Sequence, residues 1–333
     1  MRKICKDFKH QQKGPNMKNN IFLSFTNKNA LLSKKSSKVI YALLRYLIII
    51  GLSFLILYPI FVKCMVSLMP NEDLFNTSVI FLPKNPTLTN FKIVWNAVNY
   101  PIVFLKTLFI CIIVSALQVA SSTLVAYGLA KFKFYGQKII VALVIFMMVI
   151  PAQVILTPLY IRFRFFDITQ LIQVGGEMSG ISLIDTPLPF ILLSSTATSF
   201  KNGLYIFMLI QHFRNSPKVL DEAALIDGCT KFSTFIRIAL PGSVPMLMSV
   251  FLFSFVWQWN DYYYTSVLAP NMGLMSTKLL NVQFSWIAGI GSDYSFSVSY
   301  APRLLLLISP LIVLYLFTQR FFVESIERSG IVG

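Results

Sequence analysis

Long apolar runs alternate along the chain with short polar, mostly basic stretches, and the lengths of those runs set the first reading. The run from Val39 to about Ser67 exceeds the ~20 apolar residues needed to cross a hydrocarbon core. Five further candidates follow, at about Thr107 to Ala130, Ile139 to Tyr160, Leu188 to His212, Pro241 to Trp259 and Arg303 to Gln319. Six spans predict an all-α integral membrane protein with both termini on one side. The polar stretch 1–38 ends in Lys34, Lys35 and Lys38 and predicts a mostly disordered basic tail, with at most a brief surface helix at Ile21 to Leu32. It lacks the short apolar core and small-residue cleavage site of a signal peptide. On this reading 39–67 is the first span, 68–106 an extracytoplasmic segment, 107–319 a core of five spans and 320–333 a second cytoplasmic tail.

Between two apolar runs lies a soluble-looking island, SPKVLDEAALIDGCTKFSTFIRIALPGSVP, from Ser216 to Pro245. Ser216 suits an N-cap and Pro217 the first helical position, so a short helix is expected through Asp221, Glu222, Ala223 and Ala224. Asp227-Gly228 should break it. A second helix, capped by Thr230, would carry Phe232, Phe235, Ile236, Ala239 and Leu240 as a stripe one face wide, ended by Pro241.

Composition and charge narrow the class. Of 333 residues, 56% are hydrophobic and 13% charged, too apolar for a soluble domain. The net charge of +16 does not point to nucleic acid, because the basic residues cluster in the amino tail and beside apolar runs, where anionic lipid and the positive-inside rule account for them. Twenty Lys and Arg fall on the side of the termini and the Ser216 island, eight on the other, and Lys201 lies within the fourth run. That bias makes both termini and the island cytoplasmic.

The chemistry the chain lacks is equally informative. All thirteen carboxylates lie outside the expected spans, so the buried acid of a proton-coupled transporter is missing. There is no G-x-x-x-x-G-K-[ST], so any ATP hydrolysis belongs to another polypeptide, and neither G-x-S-x-G nor H-E-x-x-H nominates a membrane enzyme. Cys5, Cys64, Cys111 and Cys229 are scattered, and His10 and His212 lie far apart, so no disulfide framework, metal site or cofactor is expected.

Glu222-Ala223-Ala224, followed by Asp227-Gly228, Ile238, Leu240-Pro241 and Pro245, resembles the EAA loop of binding-protein-dependent ABC importer permeases in the version of their carbohydrate branch. Ser121-Ser122-Thr123 to Gly128 with Lys131-Phe-Lys133-Phe, and Ile150-Pro151 to Tyr160, are similar to the second and third core helices of those permeases. Trp259-Asn260-Asp261 is similar to the end of their fifth helix. The tail Gln319 to Val323 with a final Gly330-Ile-Val-Gly333 resembles their carboxyl terminus, departing from it at Ser325, Ser329 and Val332. The segment from Arg162 to Pro187 is longer than the resemblance leads one to expect.

The resemblance implies a type I ABC importer permease of MetI-like architecture in a bacterial plasma membrane, moving a sugar or oligosaccharide. It implies a second permease subunit, a pair of ATP-binding cassette ATPases and an extracytoplasmic solute-binding protein as partners. It assigns ATPase coupling to Glu222, Ala223, Ala224, Asp227, Gly228, Leu240 and Pro241. A substrate pathway is nominated at Lys201, Asn202, Trp257, Trp259, Asn260 and Asp261. Aromatic faces with polar groups can grip a sugar, although the same residues also make an interfacial belt, the plainer reading. Lys201 is expected to face the bundle or an aqueous path, as a structural hydrogen bond or a snorkelling side chain before a substrate contact. The rival classes are a secondary transporter or channel without an ATPase, and an ABC permease for another solute such as glycerol phosphate or peptide.

Overall fold

The computed structural model of the protein describes residues 17–74, 76–166, 180–281 and 292–330. It is helical, and the described residues form no strand beyond one antiparallel bridge, Phe166 with Ile181. The chain divides into two compact units, Met1–Val62 and Lys63–Gly333.

Helix α1, Met17–Leu68, runs unbroken for 52 residues, so the expectation of a mostly disordered tail is corrected for residues 17–38, and residues 1–16 lie outside the described residues. Gly14-Pro15 stands just ahead of Met17 and neither residue type recurs before Gly51, so no breaker separates the polar stretch from the apolar one. From Lys38 onward α1 is long and apolar enough to cross a membrane.

In the larger unit, α2 (Thr89–Val98) meets α3 (Tyr100–Lys131) at Asn99, which takes a left-handed φ of 51°. Helix α3 begins seven residues before the expected Thr107, because Pro101 sits in its first turn, where a missing N–H costs no hydrogen bond. The third run is two helices, α4 (Gln137–Val149) and α5 (Ala152–Arg164), bent by 99° at Ile150-Pro151. The fourth expected span is likewise corrected. It consists of α6 (Leu188–Ser195) and α7 (Asn202–Asn215), separated by six non-helical residues.

Helix α8 (Lys218–Ile226) and helix α9 (Lys231–Gly242) form the island. Helix α10 (Val244–Asn260) leaves α9 at 74°, and the short α11 (Tyr263–Leu268) and α12 (Met275–Asn281) precede α13 (Ser292–Gly330). Among the described residues three helices are long and apolar enough to span, or five if each bent pair counts as one span. The expected six is not reached, because α6 and α7 are each too short.

Helix α3 is the axis of the larger unit and packs against α6, α7 and α10. One core cluster joins Ala126 and Tyr127 of α3 to Tyr205, Leu209, Ile210 and Phe213 of α7 and Val250 of α10. Gly203 lets α7 close on α4: a Cβ there would lie 3.0 Å from the Val144 carbonyl oxygen and 3.2 Å from Met147 Cβ. Small residues serve this purpose in membranes, where packing rather than water exclusion holds helices together.

A polar seam adds to that packing. Ser121 donates to the Ser194 carbonyl at 2.6 Å, Gln118 to Ser199 Oγ at 2.8 Å and Asn202 to Ser122 Oγ at 2.9 Å, while Ser254 donates to the Gln118 side-chain carbonyl. Helices α6, α7 and α10, and the break between α6 and α7, are thereby tied to one face of α3. Interhelical bonds of this kind contribute about 0.6 kcal/mol each in a membrane.

Candidate functional site: a tethered surface loop and a central cavity

The loop is built as its residue types dictate. Helix α8 starts at Lys218, one residue later than the expected Pro217 start, and runs to Ile226. Gly228 then takes φ +80°, open to glycine without strain, and the Cys229 N–H closes on the Ala224 carbonyl at 2.9 Å. Thr230 caps α9 by accepting the Ser233 N–H at 3.2 Å.

The expected stripe on α9 splits. Phe235 is buried against Tyr127, with ring centroids 4.6 Å apart, whereas Phe232 stays 67% exposed. A π-helical stretch, Phe235–Ala239, follows within the same helix. Pro241 does not end α9. It sits in a final turn that closes at Gly242, and the bend falls at Ser243, whose Oγ donates to the Ala239 carbonyl at 2.6 Å and meets His212 Nε2 at 3.0 Å.

Two features set the loop's orientation. Asp221 forms a 2.6 Å ion pair with Lys131, the last residue of α3, with their side chains 24% and 15% exposed. Ala224 is buried on the same side. Glu222, Ala223, Asp227 and Gly228 are exposed, together with Val219 at 71% and Ile226 at 85%. Leu240 is half-buried in the core beside Phe235, and Pro241 is exposed. The loop therefore offers a patch of carboxylates, small residues and bare aliphatic side chains, while its inner face is fastened to the bundle.

The second feature of the site is a cavity of about 760 Å³ between α3, the α4–α5 bend, the α6–α7 break and the end of α10. Its size is that of a small-molecule site. Irregular backbone at membrane depth is tolerated where it lines such a space, and both the Pro151 bend and the Ser199–Lys201 break do so.

Lys201 lines this cavity and lies over the rings of Trp257, 4.0 Å from its centroid, and Phe200, at 4.3 Å. Such contacts contribute ~0.5–2 kcal/mol, less than the roughly 2.5–3.5 kcal/mol or more that an ammonium costs at membrane depth. Among the described residues no carboxylate pairs with it, since the ion pair they form is Lys131 with Asp221.

Asp261, just past α10, spends its carboxylate on the first turn of α11, accepting the Tyr264 N–H at 3.1 Å, the Thr265 N–H at 3.0 Å and the Thr265 hydroxyl at 2.9 Å. Burial raises its pKa, and these donors oppose the rise. Burial and the Asp261 charge push the Tyr264 hydroxyl up to about 12.

Of the residues nominated for the pathway, Lys201, Trp257, Asn260 and Asp261 line the cavity together. Asn202 and Trp259 lie elsewhere. Asn202 is buried on Ser122, and the Trp259 indole donates to the Leu307 carbonyl at 3.0 Å, joining α10 to α13. Gln118, Tyr205 and Gln258 also line the cavity and were not singled out from the sequence. The signal for Gln118 lay in the spacing of Ser115, Gln118 and Ser122, which puts polar groups on one face of an apolar helix. The segment 167–179 and the tail residues 331–333 lie outside the described residues.

A bundle of apolar helices around a cavity, with a fastened helical loop at one end, defines the class of membrane permeases. The family described as "Binding-protein-dependent transport system inner membrane component" matches residues 118–328, and the chain belongs to it. It is a transport component of the cell membrane rather than an enzyme, and its family implies a solute-binding protein and an ATP-hydrolysing subunit as partners.

The chain is similar to the arabinooligosaccharides transport system permease protein AraQ of Bacillus subtilis (strain 168), 26% identical over 300 residues, covering 88% of this chain and 97% of AraQ. It is similar to the probable starch degradation products transport system permease protein AmyC of Thermoanaerobacterium thermosulfurigenes, 28% identical over 288 residues, covering 85% and 94%. Among solved structures, a bacterial ABC transporter that imports the acidic polysaccharide alginate shares the fold, with a TM-score of 0.67 and 19% identity over 86% of this chain and 98% of that one.

Proposed function

We propose that the chain is one of two membrane subunits of an ATP-driven importer for a carbohydrate, and that the loop 216–240 is its joint to the ATPase. The observation that carries this reading is the loop itself. Glu222 and Ala223 are exposed beside bare Val219 and Ile226, on a helix whose opposite face is held by Lys131–Asp221 and by buried Ala224. Exposed carboxylates offer charge-assisted hydrogen bonds, small residues allow close approach, and a fastened inner face transmits a push. ATP-driven closure of the partner would move α8, and with it α3 and the walls of the cavity, shifting the bundle between states that open to opposite sides. The names of AraQ and AmyC support a carbohydrate cargo, and the aromatic side chains around the cavity suit one.

The test is the double variant Glu222→Ala, Gly228→Val in the complete importer. Glu222→Ala removes a charge-assisted bond of about 1.5–3 kcal/mol, and Val at φ +80° adds strain of about 1–3 kcal/mol. Each loss alone weakens docking to the ATPase by about one to two orders of magnitude, and the double variant by about two to four, read as lost co-purification. The helices should insert as before. ATP-driven uptake at the parent rate would refute the joint.

A further inference from the structure

We infer that the cavity selects a carbohydrate carrying an anionic group, a carboxylate or a phosphate, and that Lys201 is the residue that recognises it. This rests on the proposed carbohydrate importer and narrows its cargo.

The cavity wall is unbalanced in hydrogen bonding. Its two charged residues are Lys201 and Asp261, and Asp261 directs its oxygens at the N–H groups and hydroxyl of α11. Lys201 keeps its ammonium against two aromatic faces, which offset only part of the cost of a charge at this depth. Two further wall residues hold buried polar atoms: the side-chain nitrogen of Gln258, which has no partner among the described residues, and the hydroxyl of Tyr205, which faces the Ser254 hydroxyl. Buried polar groups in native structures almost always find partners, so the Gln258 nitrogen marks where a ligand is expected.

The ammonium and the Gln258 amide nitrogen can only donate, and the Tyr205 hydroxyl is able to. A wall of donors around one cation is the complement of an acceptor-rich anion. A neutral sugar could satisfy the amide and the hydroxyl and stack on Trp257, yet it would leave the Lys201 charge uncompensated. A sugar acid or sugar phosphate satisfies all three. The position of Lys201 in the break between α6 and α7 holds it in the wall, while the neighbouring Asn202 points away to Ser122.

The experiment measures ligand binding by calorimetry on the complete importer in nanodiscs, without its soluble binding protein, so that the selectivity read is that of the membrane part. The probes are digalacturonate, glucose 6-phosphate and the neutral disaccharide maltose. The parent protein is expected to bind at least one anionic probe about tenfold or more tightly than maltose. Lys201→Gln should abolish that preference, and Lys201→Arg should retain most of it. Which anionic probe wins separates carboxylate from phosphate recognition.

Equal binding of maltose and both anionic probes, or an anionic preference that survives Lys201→Gln, would overturn the inference. So would the absence of any anionic binding. Complex yield and a thermal unfolding midpoint of Lys201→Gln at the parent level exclude misfolding as the cause of a loss. ATP-driven uptake of a neutral carbohydrate with the binding protein restored would keep the importer reading intact even where the anion inference fails.

Discussion

Ala197 occupies a position that usually belongs to glycine. It follows α6 at φ 57°, its N–H reaching the Ser194 carbonyl at 3.4 Å while the Thr198 N–H reaches that of Leu193 at 3.0 Å, the bond pattern of a left-handed helix stop. A Cβ in that region costs about 1–2 kcal/mol. Ala197→Gly should therefore stabilise the permease by about 1 kcal/mol, read as a raised midpoint in thermal unfolding of the purified complex, and an unchanged or lowered midpoint would show that the stop is not strained.

Single residues also mark where the sequence was legible. Asp227-Gly228 reads as a helix breaker in the sequence, and Gly228 stands at φ +80° just after the helix. The αL stop at Ala197 was invisible, since alanine in an apolar run reads as helix. The same run hid the break that places Lys201 on the cavity.

At the scale of elements, the contact between α3 and α8 converts a surface loop into part of the bundle. Exposed ion pairs contribute about 0–1 kcal/mol and charge-assisted hydrogen bonds about 1.5–3 kcal/mol. The Lys131–Asp221 pair is mostly covered without being sealed, so a coupling of about 1 kcal/mol is expected. Asp221→Asn should leave insertion intact but weaken the link between ATP hydrolysis and uptake, raising ATPase turnover per solute moved. The exchange Lys131→Asp with Asp221→Lys should restore part of the link. A double-mutant cycle that shows additive effects on this ratio would rule out transmission through the pair.

Elements also explain why the span count differs from the reading of apolar runs. A run records composition and not continuity, so Leu188 to His212 looked like one helix. The hydrogen bond from Gln118 to Ser199 and the αL stop at Ala197 replace the helical bonds that the run would otherwise make there. Pro151 gave a clearer warning. A proline inside an apolar run frees backbone carbonyls, which are tolerated beside a cavity, and the bend it makes lines the cavity wall. The paired aromatic and polar groups after Phe255 divide in a way that no one-dimensional pattern gives. Trp257 and Trp259 are two residues apart on a helix and point to different surroundings, one to the cavity and one to α13.

For the whole molecule, orientation in the membrane follows from where its charge lies. We expect both termini and the α8–α9 loop to face the cytoplasm, on the bias of twenty basic residues against eight. The structure bears on that count at one position. Arg303, assigned to the extracytoplasmic group, is buried and donates to the Ser299 and Leu279 carbonyls at 3.2 and 3.4 Å, so its charge sits inside the bundle and does not act as a flank. On the loop side Lys133, Lys138 and Arg214 are exposed, as flanking charges should be. A single cysteine placed at Lys218, on a background with Cys5, Cys64, Cys111 and Cys229 replaced, should react with an impermeant maleimide only after the cells are permeabilised. A cysteine at Lys84 should react in intact cells. Labelling of the Lys218 position from outside would invert the topology and remove the loop from reach of any cytoplasmic ATPase, so this measurement bears on orientation and energy source together.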